Sequence, residues 1–389
     1  MKLLLYSHDW APTVGGVQTV TLLLAKGLAR GRASEKNGTA EPIDVTLVTP
    51  TPRGEMDDAA LPYRVVRAPT TRQFIELLRQ ADLVHLAGPT LKPLALGWLL
   101  RKPIVVEHHG FQTICPNGQL FYTPTQSRCP GHFMAGEYGE CIACNRREGL
   151  LRSINQWLLT FARRWLCKRV SANVTPTNWL AAQLQLPRMT TIYHGVPTDS
   201  EREKFGAAPD AVTFAFLGRL VASKNVALLL RAAGELKSSG TSFHLTIIGD
   251  GPERENLGRL AGELGLGSSV SFVQYVPDDR LEIALARVSA VIVPSASGEV
   301  FGLAAAENMR HGRFALVPAS SAAAEVVGDA GLTFSENDAA GLAEAMKRVI
   351  TDGELRVRLA AAARERCRTL FGDAAMVDGH IFLYKSLVL

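Results

Sequence analysis

Glu299 and Glu307 bracket the run Gly-Glu-Val-Phe-Gly-Leu-Ala-Ala-Ala-Glu, residues 298–307 of a 389-residue chain. Carboxylates accept hydrogen bonds and suit the hydroxyls of a sugar. The glycine-bearing loop precedes strong helix formers, Leu303 to Ala306, and a helix start presents backbone N–H groups able to hold a phosphate. Two acids beside a phosphate repel it, so such a site needs cations from elsewhere. The run Gly218-Arg219-Leu220-Val221-Ala222-Ser223-Lys224-Asn225 supplies them. Arg219 offers a planar fork and Lys224 a compact charge, together able to neutralise a departing diphosphate. As a plain surface pair at a helix start these cations would oppose the helix dipole, which favours a functional reading. Hydroxyl-binding acids with diphosphate-binding cations describe a site for a sugar nucleotide.

Three further groups have chemical potential. Gly15-Gly16 closes the first expected strand, where backbone without a Cβ can approach a ligand, although a glycine pair is most often only a turn. Glu107-His108-His109-Gly110 ends another strand; a histidine there is either structural or placed to meet the substrate sugar or a developing charge. Four of the six cysteines, Cys115, Cys129, Cys141 and Cys144, fall in one Gly-, Pro- and aromatic-rich segment. Four thiolates including one Cys-x-x-Cys can form a tetrahedral structural zinc site, with His132 able to replace one of them. A disulfide or a reduced loop fits the same spacing. Cys167 and Cys367 fall on expected helices and read as packing residues. No Asp-x-Asp pair is present to chelate a catalytic Mg²⁺ or Mn²⁺, so no cofactor is expected at the diphosphate, where Arg219 and Lys224 take the ion's place. There is no phosphate-loop signature and no complete dinucleotide fingerprint, which disfavours an NTPase or a dehydrogenase.

The elements that must position these residues alternate. Expected strands at Lys2–Ser7, Ile43–Thr49, Leu83–Leu86, Ile104–Glu107, Val170–Thr175 and Thr190–Tyr193 are separated by helical segments such as Val17–Ala29 and Thr71–Gln80. A second series follows: strands Val212–Leu217, Phe243–Ile248, Val270–Phe272, Ala290–Val293 and Phe314–Val317, with helices Asn225–Lys237 and Glu253–Leu264. Alternation of this kind gives α/β domains with parallel sheets, which bind ligands in crevices at strand ends. The expected domains are 1–200, with a Cys-rich insert at 111–148, and 201–372, joined by the charged, non-periodic stretch 201–210. The last helix, 373–389, carries Met376, Ile381, Phe382 and Tyr384. A hydrophobic content of 47% suffices for two cores.

In order along most of the chain, Gly15-Gly16, His109-Gly110, the Arg219–Asn225 run, Gly-Asp-Gly-Pro-Glu-Arg-Glu-Asn-Leu from Gly249, Tyr275-Val276-Pro277 and the Glu299–Glu307 element resemble the GT-B glycosyltransferases of family 4. The resemblance implies two Rossmann-like domains with sheets facing across a cleft, a final helix returning to the first domain, and retaining transfer from a nucleotide-diphosphate sugar. It implies that Gly16, with Gly15, lets the backbone approach the donor phosphate, and that Arg219 and Lys224 bind the diphosphate. Glu299 would hold sugar hydroxyls and Glu307 the ribose, while Phe301, Gly302 and Leu303 present backbone N–H groups. His109 would contact the sugar near its reacting carbon, and Tyr275-Val276 would lie by the base. Departures from the family pattern are His194-Gly195-Val196 in place of Asn-Gly-Val, Ser321-Ala322 in place of a glycine pair before Glu325, and Arg310-His311 before Gly312. Histidine tolerates left-handed backbone better than most residues, so the turn at His194 is expected to survive.

The net charge of +5 is mild and carries no nucleic-acid motif, so a zinc-dependent nucleic-acid module is remote. The opening Met-Lys-Leu-Leu-Leu-Tyr is broken by Asp9 and Pro12, reading as a strand and not a signal peptide. No apolar stretch approaches the roughly 20 residues that span a bilayer. The expectation is a cytoplasmic enzyme. Leu150, Ile154, Trp157, Leu158, Phe161 and Trp165 recur at helical spacing, flanked by Arg152, Arg163, Arg164, Lys168 and Arg169. This reads first as a core stripe with a solvated basic face; its alternative is a peripheral contact with the inner membrane face, where a lipid-linked acceptor resides. The acceptor is expected to be a glycan or lipid-linked, with the cysteine insert shaping its site. Two other readings stand beside transfer: a sugar-nucleotide epimerase of the same architecture, and a non-catalytic scaffold subunit.

Overall fold

A computed structural model describes residues 1–11, 15–31, 42–54, 56–197, 212–274, 276 and 278–388. The expected linker 201–210, together with Tyr275 and Pro277, lies outside the described residues. The chain divides into two compact units: Met1–Leu120, Pro130–Pro197 and Leu370–Leu389 form the first, and Phe121–Cys129 with Thr198–Thr369 the second.

The first unit is built on β1 (Lys2–Ser7), β2 (Asp44–Thr49), β3 (Arg64–Arg67), β4 (Leu83–Ala87) and β5 (Ile104–Glu107). A small antiparallel hairpin, β6 (Phe121–Tyr122) and β7 (Ser127–Arg128), follows. Then come β8 (Ala172–Thr175) and β9 (Met189–Thr191), and the sheet has the order β3-β2-β1-β4-β5-β8-β9 with every pairing parallel. Residues of β4 and β5 are buried throughout, as expected of parallel strands covered on both faces. Of the expected insert at 111–148, residues 121–129 fall in the second unit and the remainder in the first. The hairpin segment belongs to the second unit because Arg128 donates to the Ser320 carbonyl at 3.1 Å and pairs with Glu336 at 3.8 Å.

In the second unit β10 (Thr213–Leu217), β11 (His244–Ile248), β12 (Val270–Val273), β13 (Val288–Ile292), β14 (Phe314–Pro318) and β15 (Leu332–Phe334) form a parallel sheet ordered β12-β11-β10-β13-β14-β15. Numbered within the unit this is 3-2-1-4-5-6, so the winding reverses between β10 and β13.

The C-terminal helix, Asp373–Val388, belongs to the first unit and packs on the helix Gly16–Arg30. The two approach closely at Gly27, where a Cβ would stand 2.3 Å from Val377 Cγ2. Met376, His380 and Tyr384, each four residues on, share one buried helix face.

The helix Leu150–Cys167 departs from the expected core stripe. Its buried residues are Ser153, Thr160, Leu166 and Cys167, whereas Leu151 is 84% exposed and Leu150, Leu158, Phe161 and Trp165 are exposed too. The reason lies in what covers it. Phe133 and Tyr138, from the short helices His132–Ala135 and Tyr138–Asn145, meet Trp157 and Phe161 edge-on or tilted, and Trp98 meets Trp165, which leaves Leu150, Leu151 and Leu158 exposed. No described helix is long and apolar enough to cross a membrane.

Candidate functional site

The reversal between β10 and β13 brings two loops together in the second unit. The Ala296 N–H donates to the Ser223 carbonyl at 3.0 Å, stitching the loop after β13 to the loop after β10. Lys224 comes from the first loop and Glu299 from the second, and Lys224 Nζ donates to Glu299 Oε1. Buried Ser295 adds a hydroxyl donor to the same oxygen at 3.3 Å. Seventy-odd residues separate these groups in sequence, and only the adjacent strands make them neighbours. Arg219 is exposed on the same loop as Lys224. Both the cation and the acid assigned from sequence therefore sit at the carboxyl ends of the switch-point strands, where such sheets bind ligands.

The surrounding glycines have physical reasons to be glycine. A Cβ on Gly249 would lie 1.9 Å from the Gly218 carbonyl oxygen, and one on Gly251 would lie 2.4 Å from that of Leu220, with φ of +145° and +156°. The loops after β10 and β11 are thus packed backbone against backbone, and Leu220 N–H donates to the Asp250 carbonyl at 2.8 Å. Gly302 caps the helix Leu303–Met309 in a left-handed conformation, φ +93°, with Ala323 Cβ 2.9 Å from where its own Cβ would be. Phe301 and Gly302 are buried, Leu303, Val276 and Glu307 half-buried. Glu307 lies on this helix, downstream of the loop that carries Glu299. Ser321, where the family pattern has a glycine, caps the helix Ala322–Val327, accepting from the Ala324 N–H at 3.3 Å. Gly312 follows the helix with φ +76°, and His311 and Arg313 on either side of it grip Glu282 at 3.1 and 3.0 Å.

In the first unit Gly15 precedes and Gly16 begins the helix after β1. A Cβ on Gly15 would lie 2.7 Å from the end of the Gln18 side chain, and Gly16 is exposed. His109 follows β5 with its side chain 5% exposed, and neither ring nitrogen has a hydrogen-bond partner. It stands 3.6 Å from Glu107 Oε2.

Glu107 is the centre of a cluster that the motif reading missed. Its carboxylate is 1% exposed and is approached by His85 Nε2 at 3.1 Å and His380 Nε2 at 3.8 Å as well as by His109, while His194 Nε2 lies 3.5 Å from the other oxygen. Burial would raise the Glu107 pKa, but the facing imidazoles hold it well below the usual carboxylate range. Burial pushes His109 down to about 3 and His380 to about 4, against the pull of Glu107. The expected left-handed turn at His194 is corrected here: among described non-glycine residues with positive φ His194 does not occur. Its ring instead turns inward beside Glu107 and tilts against His109 with centroids 5.1 Å apart. The adjacent Gly195 is required because a Cβ there would lie 2.6 Å from Asp373 Cα. His85, His194 and His380 lie far apart in sequence and share no spacing, which is why no motif announced them.

None of the six cysteines forms a disulfide, and among the described residues no three cysteine sulfurs converge on one coordination sphere. Asn117 stands between two of them, its Oδ1 2.9 Å from Cys115 Sγ and its Nδ2 3.5 Å from Cys144 Sγ. Cys141 is buried on the helix Tyr138–Asn145, and Cys129 belongs to the second unit. Cys167 and Cys367 are buried on helices, and burial raises their thiols to about 12 and about 11.

Comparison with known proteins bears on both units. Residues 14–200 match the model of Glycosyltransferase Family 4, and residues 197–366 that of Glycosyl transferases group 1. Among curated relatives, the lipopolysaccharide core biosynthesis glycosyltransferase LpsE of Rhizobium meliloti is 30% identical over 48% of this chain and 53% of its own. The GDP-mannose-dependent alpha-(1-6)-phosphatidylinositol monomannoside mannosyltransferase of Mycolicibacterium smegmatis is 28% identical over 72% of this chain and 69% of its own. The matches to the first relatives thus span about half of those proteins' length. Among solved structures, Anabaena Alr3699/HepE in complex with UDP and glucose superposes with a TM-score of 0.69 at 16% identity, over 100% of both chains, a likeness of fold.

Proposed function

This chain belongs to the GT-B glycosyltransferases of family 4, group 1, and from that membership we propose that it transfers a sugar from a nucleotide-diphosphate donor. The acceptor is a glycan or a lipid-linked glycan, and the product belongs to polysaccharide, glycolipid or cell-envelope synthesis. The observation that carries this reading is the meeting of Lys224 and Glu299 at the switch point of the second sheet. A lysine and a carboxylate in contact are a charge-neutral pair that a diphosphate sugar can separate, its phosphates taking the cation and its hydroxyls the acid. Arg219 shares the diphosphate charge, Glu307 receives the ribose, and Val276 lies by the base. Phe301, Gly302 and Leu303 offer backbone N–H groups, and Gly15 and Gly16 leave the backbone open to the phosphate. His109, with both ring nitrogens unclaimed, contacts the donor sugar.

The chemistry we assign is retaining. The anomeric carbon–phosphate bond breaks as the acceptor oxygen bonds to the same face, and the departing phosphate takes the acceptor's proton. Charge stabilisation by Arg219 and Lys224 then stands in for a metal at the diphosphate. The exposed apolar residues of the helix Leu150–Cys167, with Arg169 stacked 3.7 Å over Trp165, support peripheral contact with a membrane carrying the acceptor.

A thermal-shift screen against UDP-, GDP- and ADP-sugars tests donor binding. NMR of the product's anomeric configuration tests retention. Epimer formation from donor alone would assign the chain to epimerases instead, and donor binding without turnover on any acceptor would leave a scaffold.

A further inference from the structure

His85, Glu107 and His380 are brought together by tertiary structure alone. His85 is on β4 and pairs in register with Val105; Glu107, two residues on, therefore points to the same face of the sheet. The C-terminal helix lays His380 over that face. One ligand atom from each of the three lies within 4.8 Å of the others, and the three residues are 0–1% exposed. Among the described residues no lysine or arginine pairs with Glu107. A buried carboxylate without a full counter-charge is costly.

The far side of each imidazole points to what fills the gap. His380 Nδ1 lies 2.8 Å from the Met376 carbonyl oxygen. A carbonyl only accepts, so Nδ1 carries a hydrogen, and the buried Nε2 faces the carboxylate 3.8 Å away with no hydrogen-bond partner, offering a lone pair there in the neutral ring. Two lone pairs facing each other in dry surroundings repel unless a cation lies between them. His85 Nδ1 is likewise engaged, 2.6 Å from the Tyr384 hydroxyl, and its Nε2 lies 3.1 Å from Glu107 Oε2; in the tautomer in which Tyr384 accepts, Nε2 offers its lone pair inward. Histidines that ligate metals characteristically give their other N–H to a carbonyl or similar acceptor. The second convergent set, Glu107, His109 and His194, lacks this feature at His109, whose Nδ1 has no partner.

We propose that His85, Glu107 and His380 bind one divalent transition-metal ion of the zinc class, which fastens the C-terminal helix to the first sheet. Two imidazoles and a carboxylate are zinc ligands, whereas Ca²⁺ and Mg²⁺ prefer all-oxygen sites. Zinc–nitrogen distances of about 2.1 Å put tetrahedral donors about 3.4 Å apart. The distances of 3.1 and 3.8 Å to Glu107 bracket that value, so small side-chain adjustments complete the site. The ion is structural, its ligand Glu107 also neighbours His109 at 3.6 Å, and the inference does not rest on the transferase reading.

The test uses the full chain stripped with chelator and titrated with Zn²⁺. One equivalent should bind and raise the melting temperature, and Co²⁺ in its place should give visible d–d bands without the intense near-ultraviolet band of thiolate ligation. Glu107→Gln and His85→Gln should lose the equivalent and the melting shift, and Tyr384→Phe should weaken binding by about tenfold. Cys115→Ser/Cys144→Ser should keep both. Should His380→Ala fail to fold, the Co²⁺ spectrum of the parent chain and the His85→Gln titration decide. Absence of bound Zn²⁺ in the parent chain overturns the proposal, as does a thiolate band or binding that survives Glu107→Gln and His85→Gln.

Discussion

Lys224 carries the largest consequence of any single side chain, because in the proposed reaction it meets charge that grows as the diphosphate leaves. Lys224→Ala should lower kcat/KM by about 10²–10³-fold, the usual cost of removing one preorganised charge donor, while circular dichroism and melting stay near those of the parent. Full activity in that variant would remove the central claim. Glu307→Ala should act differently, weakening donor binding in a titration, since a ribose contact is made in ground state and transition state alike. Glu282 governs stability in acid. Burial would raise its pKa, but hydrogen bonds from His311 and Arg313 bring it down to about 2. A depressed carboxylate stabilises the fold above its unfolded pKa of about 4.3. That contribution is lost as pH falls from there towards 2. The melting temperature of Glu282→Gln should therefore fall below the parent's at pH 6, and the gap should close on acidification through that window. The Arg310-His311 departure from the family pattern is explained at the same place, because His311 is one of the two groups that hold Glu282.

At the scale of elements, the proposed donor site is held by loops whose backbones touch. Gly251→Ala should be destabilising by about 1–3 kcal/mol, since its Cβ would press on the Leu220 carbonyl in a conformation that L-residues avoid. Leu220 neighbours Arg219, so this variant should also raise KM for the donor, measurable by steady-state kinetics. Strand and helix positions were largely legible beforehand: Lys2–Ser7, Thr71–Gln80 and Ile104–Glu107 coincide with their elements to the residue. Continuous apolar runs and capping residues such as Thr70 mark such elements locally. β3 and β15 escaped because each is short and only partly buried, so neither makes an apolar run.

On the molecular scale the exposed face of the helix Leu150–Cys167 is the outstanding surface. Leu151 and Leu158, 84% and 51% exposed, pack on little, so Leu151→Glu and Leu158→Glu should leave melting unchanged. If the face meets anionic lipid, both should reduce cosedimentation with phosphatidylglycerol vesicles; undiminished binding would exclude this helix as the contact. The C-terminal helix is the other whole-chain feature. It closes the first unit on the helix Gly16–Arg30 and reaches that place from beyond the second unit.

The sequence by itself determined the α/β alternation and marked the groups proposed to hold the donor, because strand runs, the Arg219–Lys224 loop and the Glu299–Glu307 element are each local patterns. It also pointed to a family. Only the tertiary structure decided that Lys224 and Glu299 touch, since their contact depends on β10 and β13 lying side by side. Only the tertiary structure separated Cys129 from the other cysteines of its segment and exposed the aromatic stripe, because helical periodicity reports that a face is apolar and not what covers it. The gathering of His85, His194 and His380 around Glu107 is the plainest case. Four polar residues from distant segments carry no spacing to read, and burial made them a unit when the last helix closed over the sheet.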